Sequence, residues 1–141
     1  MYLGYLIKIK GVEGTSASSD YEIPMQFVQE KSYKGTYSTL DKDSKRTSSG
    51  KLKRKVLSHK VAHSAVQTRP LWYTDLHNLM QNIQQRYVKP KEKKVRASIW
   101  VVEICDYVET EFYVPDTEYT IDHIEGTSIK YEPFTLELIG Y

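Results

Sequence analysis

Cysteine is nearly absent: Cys105 stands alone in 141 residues, which excludes an internal disulfide framework and a multi-thiolate metal site. Long apolar runs are missing too, so no stretch approaches the roughly 18 residues that cross a bilayer as a helix. The opening Met1-Tyr2-Leu3-Gly4-Tyr5 has no basic region, extended apolar core or small-residue cleavage site, which argues against a secretory signal. Gly11, Gly14 and Gly50 fall in no phosphate-binding pattern. Basic residues all but disappear after residue 96, where only Lys130 remains.

What is present fits one folded unit over residues 1–141. A hydrophobic fraction of 40% and a charged fraction of 27% are ordinary for a packed domain and exclude a disordered tail. At this length a chain buries about two-thirds of its unfolded surface. The net charge of +2 conceals a division. Residues 1–96 carry 19 Lys/Arg against 8 Asp/Glu, a balance of +11, whereas residues 97–141 carry 1 lysine against 10 acids, a balance of −9. Such asymmetry calls for a nucleic acid, an oppositely charged partner, or another copy of the chain.

Tyrosine is abundant, with 12 residues, where average usage gives about four. Together with Thr, Val and Ile it favours strands, because branched and aromatic side chains pack well on a pleated surface. Strands are expected over 2–10, where Ile7 and Ile9 share a face, and over 21–30, where Tyr21, Ile23, Met25 and Phe27 alternate with polar residues and Pro24 points to a sheet edge. Residues 38–51 read as a long polar loop, since Ser38 to Gly50 holds a single apolar residue. A strand over 51–67 slips phase, as a bulge would explain. Residues 95–105 have two apolar faces, which marks a central strand, with 108–114 as hairpin partner across a turn at Asp106-Tyr107 and a final strand over 129–139.

The one helix is expected over 74–88. Thr74 is its N-cap, Asp75 suits the positive end of the dipole, and Leu76, Leu79, Met80, Ile83 and Tyr87 form an apolar stripe before Pro90. The fold class is therefore mainly β, a sandwich or barrel with one helix after the third or fourth strand.

The residues offer little chemistry. His59 and His63 have the spacing of a helical zinc pair, but in a strand four residues separate them by roughly 13 Å, and no third ligand is evident. His77 and His123 have no nucleophile nearby, and Cys105 at the end of an apolar strand reads as a small buried hydrophobe. Glu109 and Glu111 share a strand face without the apolar surroundings that split the pKa values of a catalytic pair. The expectation is a protein that is not an enzyme and uses no metal or cofactor.

Nucleic acid is the rival. Eight bases lie between Lys42 and Lys60, and a second run comprises Arg86, Lys89, Lys91, Lys93, Lys94 and Arg96. Basic strands beside tyrosines can track phosphates and stack bases, as oligonucleotide-binding barrels do. A pI near 8.5 falls short of the usual footprint, and the acidic last third repels the same backbone.

Ordered motifs add a resemblance. Ser44-Lys45-Arg46 followed by Gly50, Leu52 and Arg54, then Pro70-Leu71-Trp72 before the helix from Asp75 to Tyr87, then Phe112-Tyr113-Val114-Pro115, and finally Phe134 to Ile139 occur in sequence. In that order the chain resembles a family of small tail proteins from long-tailed phages and prophages of Gram-positive bacteria, a domain of unknown function with the tail-tube fold shared by tube proteins and the N-terminal domain of distal tail proteins. The resemblance implies a structural virion subunit at or near the tail tip, with the major tail-tube subunit as alternative. Its partners would be itself, as a hexameric or trimeric ring, and other tail proteins (tube, tape measure, tip hub), with no membrane and with DNA only passing through the lumen. The carbohydrate-binding-like domain usual in distal tail proteins finds no room in 141 residues.

Under that reading Lys42, Lys45, Arg46, Lys51, Lys53 and Arg54 are candidates for contacts between rings or subunits, and Glu103, Glu109, Glu111 and Glu118 for an acidic, DNA-repelling lumen. Complementary charge within one chain suits the head-to-tail contacts of a ring.

Overall fold

In a computed structural model of the chain, the backbone is described for residues 1–46 and 52–141, and side chains for 1–37 and 61–141. The described elements run β1 (Ile7–Ile9), β2 (Tyr21–Glu22), β3 (Lys34–Arg46), β4 (Leu52–Gln67), β5 (Leu71–Trp72), α1 (Tyr73–Gln84), β6 (Lys94–Val101), β7 (Asp106–Tyr113), β8 (Ile121–Glu125), β9 (Ser128–Tyr131) and β10 (Thr135–Gly140), with short 3-10 turns at Met25–Phe27 and Pro90–Glu92. The expected class holds: mainly β, with one α-helix and two sheets.

The larger sheet has seven strands in the order β2-β1-β6-β7-β10-β4-β3, and every neighbouring pair is antiparallel. The smaller has three, β5-β9-β8. Strand β6 lies inside the larger sheet, between β1 and β7, but only one of its faces is apolar. Lys94, Arg96 and Ser98 lie on the other, and Val102 and Ile104 of the expected second face stand exposed in the following turn. Val95, Ala97, Ile99 and Val101 are at most 1% exposed and form one wall of the core. Opposite them α1 contributes Leu79 and Ile83, with Leu71, Phe134 and Leu136 filling the space between. Each such side chain contributes about 1.5–3 kcal/mol by leaving water.

The larger sheet curls toward a barrel at the end of β6. The Trp100 amide donates to the Leu6 carbonyl at 2.8 Å, and the Val102 amide donates to the Gly35 carbonyl of β3 at 3.3 Å. The Tyr33 hydroxyl adds a bond to the Trp100 carbonyl at 2.5 Å. Gly35 is required there, because a Cβ at that position would lie 2.0 Å from the Trp100 oxygen.

Several boundaries differ from the sequence expectation. The segment 38–51 is not a loop: β3 runs to Arg46 and β4 starts at Leu52, and the connection 47–51 lies outside the described residues. A polar ribbon can pair without a core to face, so composition did not reveal it. The slipped phase of 51–67 corresponds to a register irregularity, where Thr39 faces Lys60 but Asp41 faces Val56.

The helix follows the fifth strand rather than the third or fourth, and it starts one residue early, capped at Trp72 with no side-chain bond. Thr74 lies inside the first turn with Asp75, as the backbone has already turned helical at Tyr73. It also ends at Gln84 instead of 88. The strand expected over 21–30 stops at Glu22, because Pro24 leads into a 3-10 turn that leaves Met25 exposed. Residues 129–139 divide into β9 and β10 of different sheets. Pro133 stands between them, and Phe134 exchanges bonds with Thr68, its amide to the hydroxyl at 3.2 Å and its carbonyl to the amide at 2.9 Å. The β6–β7 turn occupies residues 102–105, not Asp106-Tyr107, and leaves Cys105 exposed with φ 50°.

Candidate functional site

Beyond the body of the larger sheet, β3 and β4 continue as a two-stranded arm. Strand β10 pairs with β4 only from His63 to Gln67, whereas β3 and β4 remain paired from Thr39↔Lys60 out to Arg46↔Leu52. Eight residues of strand, Thr39 to Arg46, extend about 25 Å. No third strand flanks this stretch among the described pairings. An isolated two-stranded ribbon is marginal in water. Of the sequence candidates, Lys42, Lys45 and Arg46 lie on β3 and Lys53 and Arg54 on β4, all within this arm, while Lys51 lies outside the described residues.

The face of the larger sheet turned away from the core is a field of paired charges. Antiparallel register places Arg96 opposite Glu111 and Ser98 opposite Glu109. The Arg96 Nε donates to Glu109 at 3.0 Å, Lys10 reaches both Glu109 at 3.4 Å and Asp20 at 3.1 Å, and Lys94 pairs with Glu111. Farther along, His63 Nε2 lies 2.7 Å from Glu137 on β10.

These contacts hold the carboxyls of Glu109 and Glu111 below the usual range, chiefly through the bonds from Arg96 and Lys94 respectively. Asp20 is lowered first by the Gly11 amide and then by Lys10. The Lys10 and Lys94 ammonium groups are raised by their bonds to Asp20 and Glu111. All these groups remain partly exposed to solvent, so each pair contributes little by itself; the ladder fixes register more than it stabilises.

Of the four lumen candidates, only Glu109 and Glu111 are brought together. Glu103 sits in the β6–β7 turn and Glu118 in the connection before β8.

All 141 residues match a family of unknown function, DUF6711. The chain belongs to that family. No curated protein matches it. Among solved structures it is similar to a chain described as the tail of an empty GTA particle with C6 symmetry, at 14% identity and a TM-score of 0.48, covering 100% of this chain and 96% of the other.

The basic run of the sequence analysis is largely consumed inside the fold. Arg86 is buried. Its Nε donates to the Ser19 carbonyl at 2.9 Å and its Nη1 to the Asn82 carbonyl at 2.8 Å, which fastens the 11–20 connection to the end of α1, where a cation also suits the helix dipole. Lys93 pairs with Asp116, Lys94 with Glu111 and Arg96 with Glu109. The run from Arg86 to Arg96 is therefore a poor phosphate-tracking strip, and the side chains of the other, 42–60, lie outside the described residues.

His59 and His63 lie on the same strand, as expected, and His77 and His123 stand on other elements. Among the described residues no three His, Cys, Asp or Glu side chains are grouped to hold a metal ion.

Sequence reasoning missed two surfaces. The first is an aromatic corner at the closed end of the sheet. Tyr5 stacks on Tyr107 at 4.6 Å, Trp100 meets Tyr107 and Tyr2 edge-on, and the Tyr107 hydroxyl donates to the Tyr5 carbonyl while accepting from the Leu3 amide. These tyrosines come from opposite ends of the sequence, so no local pattern links them. The second is the β8–β9 hairpin. All five β8 residues are exposed, including Ile121 and Ile124, and among the described ion pairs none reaches Glu118, Glu125 or Glu132. The acidic composition of 116–132 was its only signal.

Proposed function

We propose that this chain is a structural subunit of a phage-type tail, a ring-forming adaptor at or near the tail tip around the DNA channel. The observation that carries the reading is the β3–β4 arm: about 25 Å of strand pairing with no third strand beside it among the described pairings, a form that gains stability by lying on a neighbour. The ordered motifs that resemble small tail proteins support it, as does the division of charge between the first two-thirds and the last third. In this reading the paired-charge face lines the channel. Glu109 and Glu111, each neutralised by a neighbouring base, present DNA with a surface that neither captures nor strongly repels it. The major tail-tube subunit is the second reading, favoured by the same arm if it stacks identical rings.

The test is assembly of the purified protein, followed by sedimentation and negative-stain microscopy. Discrete rings are expected for a tip adaptor and long tubes for a tube subunit; a chain that stays monomeric at millimolar concentration refutes both. Replacing residues 40–59 by Asn-Gly, a two-residue turn that suits a hairpin, removes the arm while preserving the Thr39↔Lys60 pair. That variant is expected to fold and to remain monomeric. Rings formed without the arm would refute its role.

A further inference from the structure

We infer that the free edge of β8 is the receptor for the β3–β4 arm of a second copy of this chain. The inference rests on the assembly reading above and names the surface that the arm meets. Among the described pairings strand β8 pairs with β9 on one side only; it ends the three-stranded sheet and has every residue exposed. A row of unpaired amides and carbonyls of this kind is a template for another strand.

Its charge selects the occupant. Asp116 is spent on Lys93, but Glu118, Asp122, Glu125 and Glu132 stand against Lys130 on and beside the hairpin, so two β8 edges repel one another and a basic strand is admitted. Glu109, Glu111 and Glu137 of the larger sheet are already met by Lys10, Arg96, Lys94 and His63, whereas among the described residues no ion pair reaches Glu118, Glu125 or Glu132. Unpaired negative charge is therefore clustered on and beside this hairpin.

The arm has the opposite surplus: residues 41–60 carry eight Lys/Arg against Asp41 and Asp43. It also has free edges of its own, since no strand other than β3 flanks β4 from Leu52 to Lys60 among the described pairings. Ile121 and Ile124, about half and two-thirds exposed, supply apolar area that docking would cover. Head-to-tail docking of arm on edge leaves each copy with one arm given and one edge filled, the arrangement that propagates around a ring.

The test uses two full-length variants. Glu118→Lys/Asp122→Lys/Glu125→Lys reverses the edge, and Lys53→Glu/Arg54→Glu/Lys55→Glu reverses the arm. Each alone is expected to weaken self-association by about 10–100-fold in sedimentation velocity, and an equimolar mixture to regain it, because opposite charges then meet in both directions. If wild type assembles and either reversal leaves assembly unchanged, or if the mixture fails to recover, the edge is not the receptor and the assembly reading stands. If wild type does not assemble, both fall. Should a triple variant unfold, the wild type itself gives the answer. Arm-on-edge association is expected to loosen at least tenfold between about 50 and 500 mM salt, and salt-independent assembly would overturn it.

Discussion

Replacing Gly35 by alanine tests the closure of the larger sheet. The added methyl carbon would stand 2.0 Å from the Trp100 carbonyl oxygen, 2.5 Å from the Tyr33 hydroxyl and 2.9 Å from its ring. The nearest of these atoms is backbone in the central strand β6, which cannot yield without disturbing its pairing with both β1 and β7. The strands must separate instead, which loses the Val102–Gly35 bond and strains the Tyr33–Trp100 bond. Overpacking of this kind costs about 1–3 kcal/mol, and the lost closure bond adds about 1 kcal/mol.

A total near 3 kcal/mol corresponds to a fall in Tm of about 10 °C for a chain of this length. Thermal melting followed by circular dichroism reads it directly. Gly126→Ala is the control. It has φ 60° but open space around the added carbon, so it isolates backbone strain without crowding, at about 1 kcal/mol. A Gly35→Ala protein within about 0.5 kcal/mol of wild type, or one no worse than Gly126→Ala, would refute the closed arrangement.

Two further outcomes follow from the site geometry. Arg86→Ala leaves the Ser19 and Asn82 carbonyls without their donors, so it is expected to lower stability by about 1–3 kcal/mol in urea titration and to raise hydrogen exchange across residues 11–20; unchanged exchange there would contradict the fastening role. For the charge ladder, the lowered carboxyls of Glu109 and Glu111 contribute stability that is present above the ordinary carboxylate range and disappears as pH falls through their folded values, so urea midpoints are expected to hold near neutrality and drop below about pH 4.5. Glu109→Gln/Glu111→Gln should flatten that slope, and an acid limb of unchanged steepness would show that other groups cause it. At the other extreme, burial pushes the Tyr33 hydroxyl up to about 12, so its contribution is lost as pH rises from 10 toward 12, and Tyr33→Phe should remove that alkaline loss.

The legible parts of the fold were those set by local periodicity next to a core. Val95, Ala97, Ile99 and Val101 alternate because one face of β6 meets the core, and Leu76, Leu79, Met80 and Ile83 repeat because one side of α1 does. Half of the arm was illegible: Thr39 to Arg46 is mostly polar and read as a loop, whereas Leu52 to Lys60 was expected as strand, and only backbone pairing joins the two. Boundaries failed where one backbone bond decided them, as at Phe134, whose exchange with Thr68 separates β9 from β10.

The sequence by itself determined the class, the helix, the central strand and the division of charge, because these depend on residue type and short-range spacing. Only the tertiary structure decided which charges are spent. Pairing across strands neutralises Arg96 with Glu109 and Lys94 with Glu111, buries Arg86 against the 11–20 connection, and among the described residues leaves Glu118, Glu125 and Glu132, on and beside the β8–β9 hairpin, without an ion pair. Charge along a chain is a sum over residues, whereas free charge on a surface depends on which residues register brings within a few ångströms of one another.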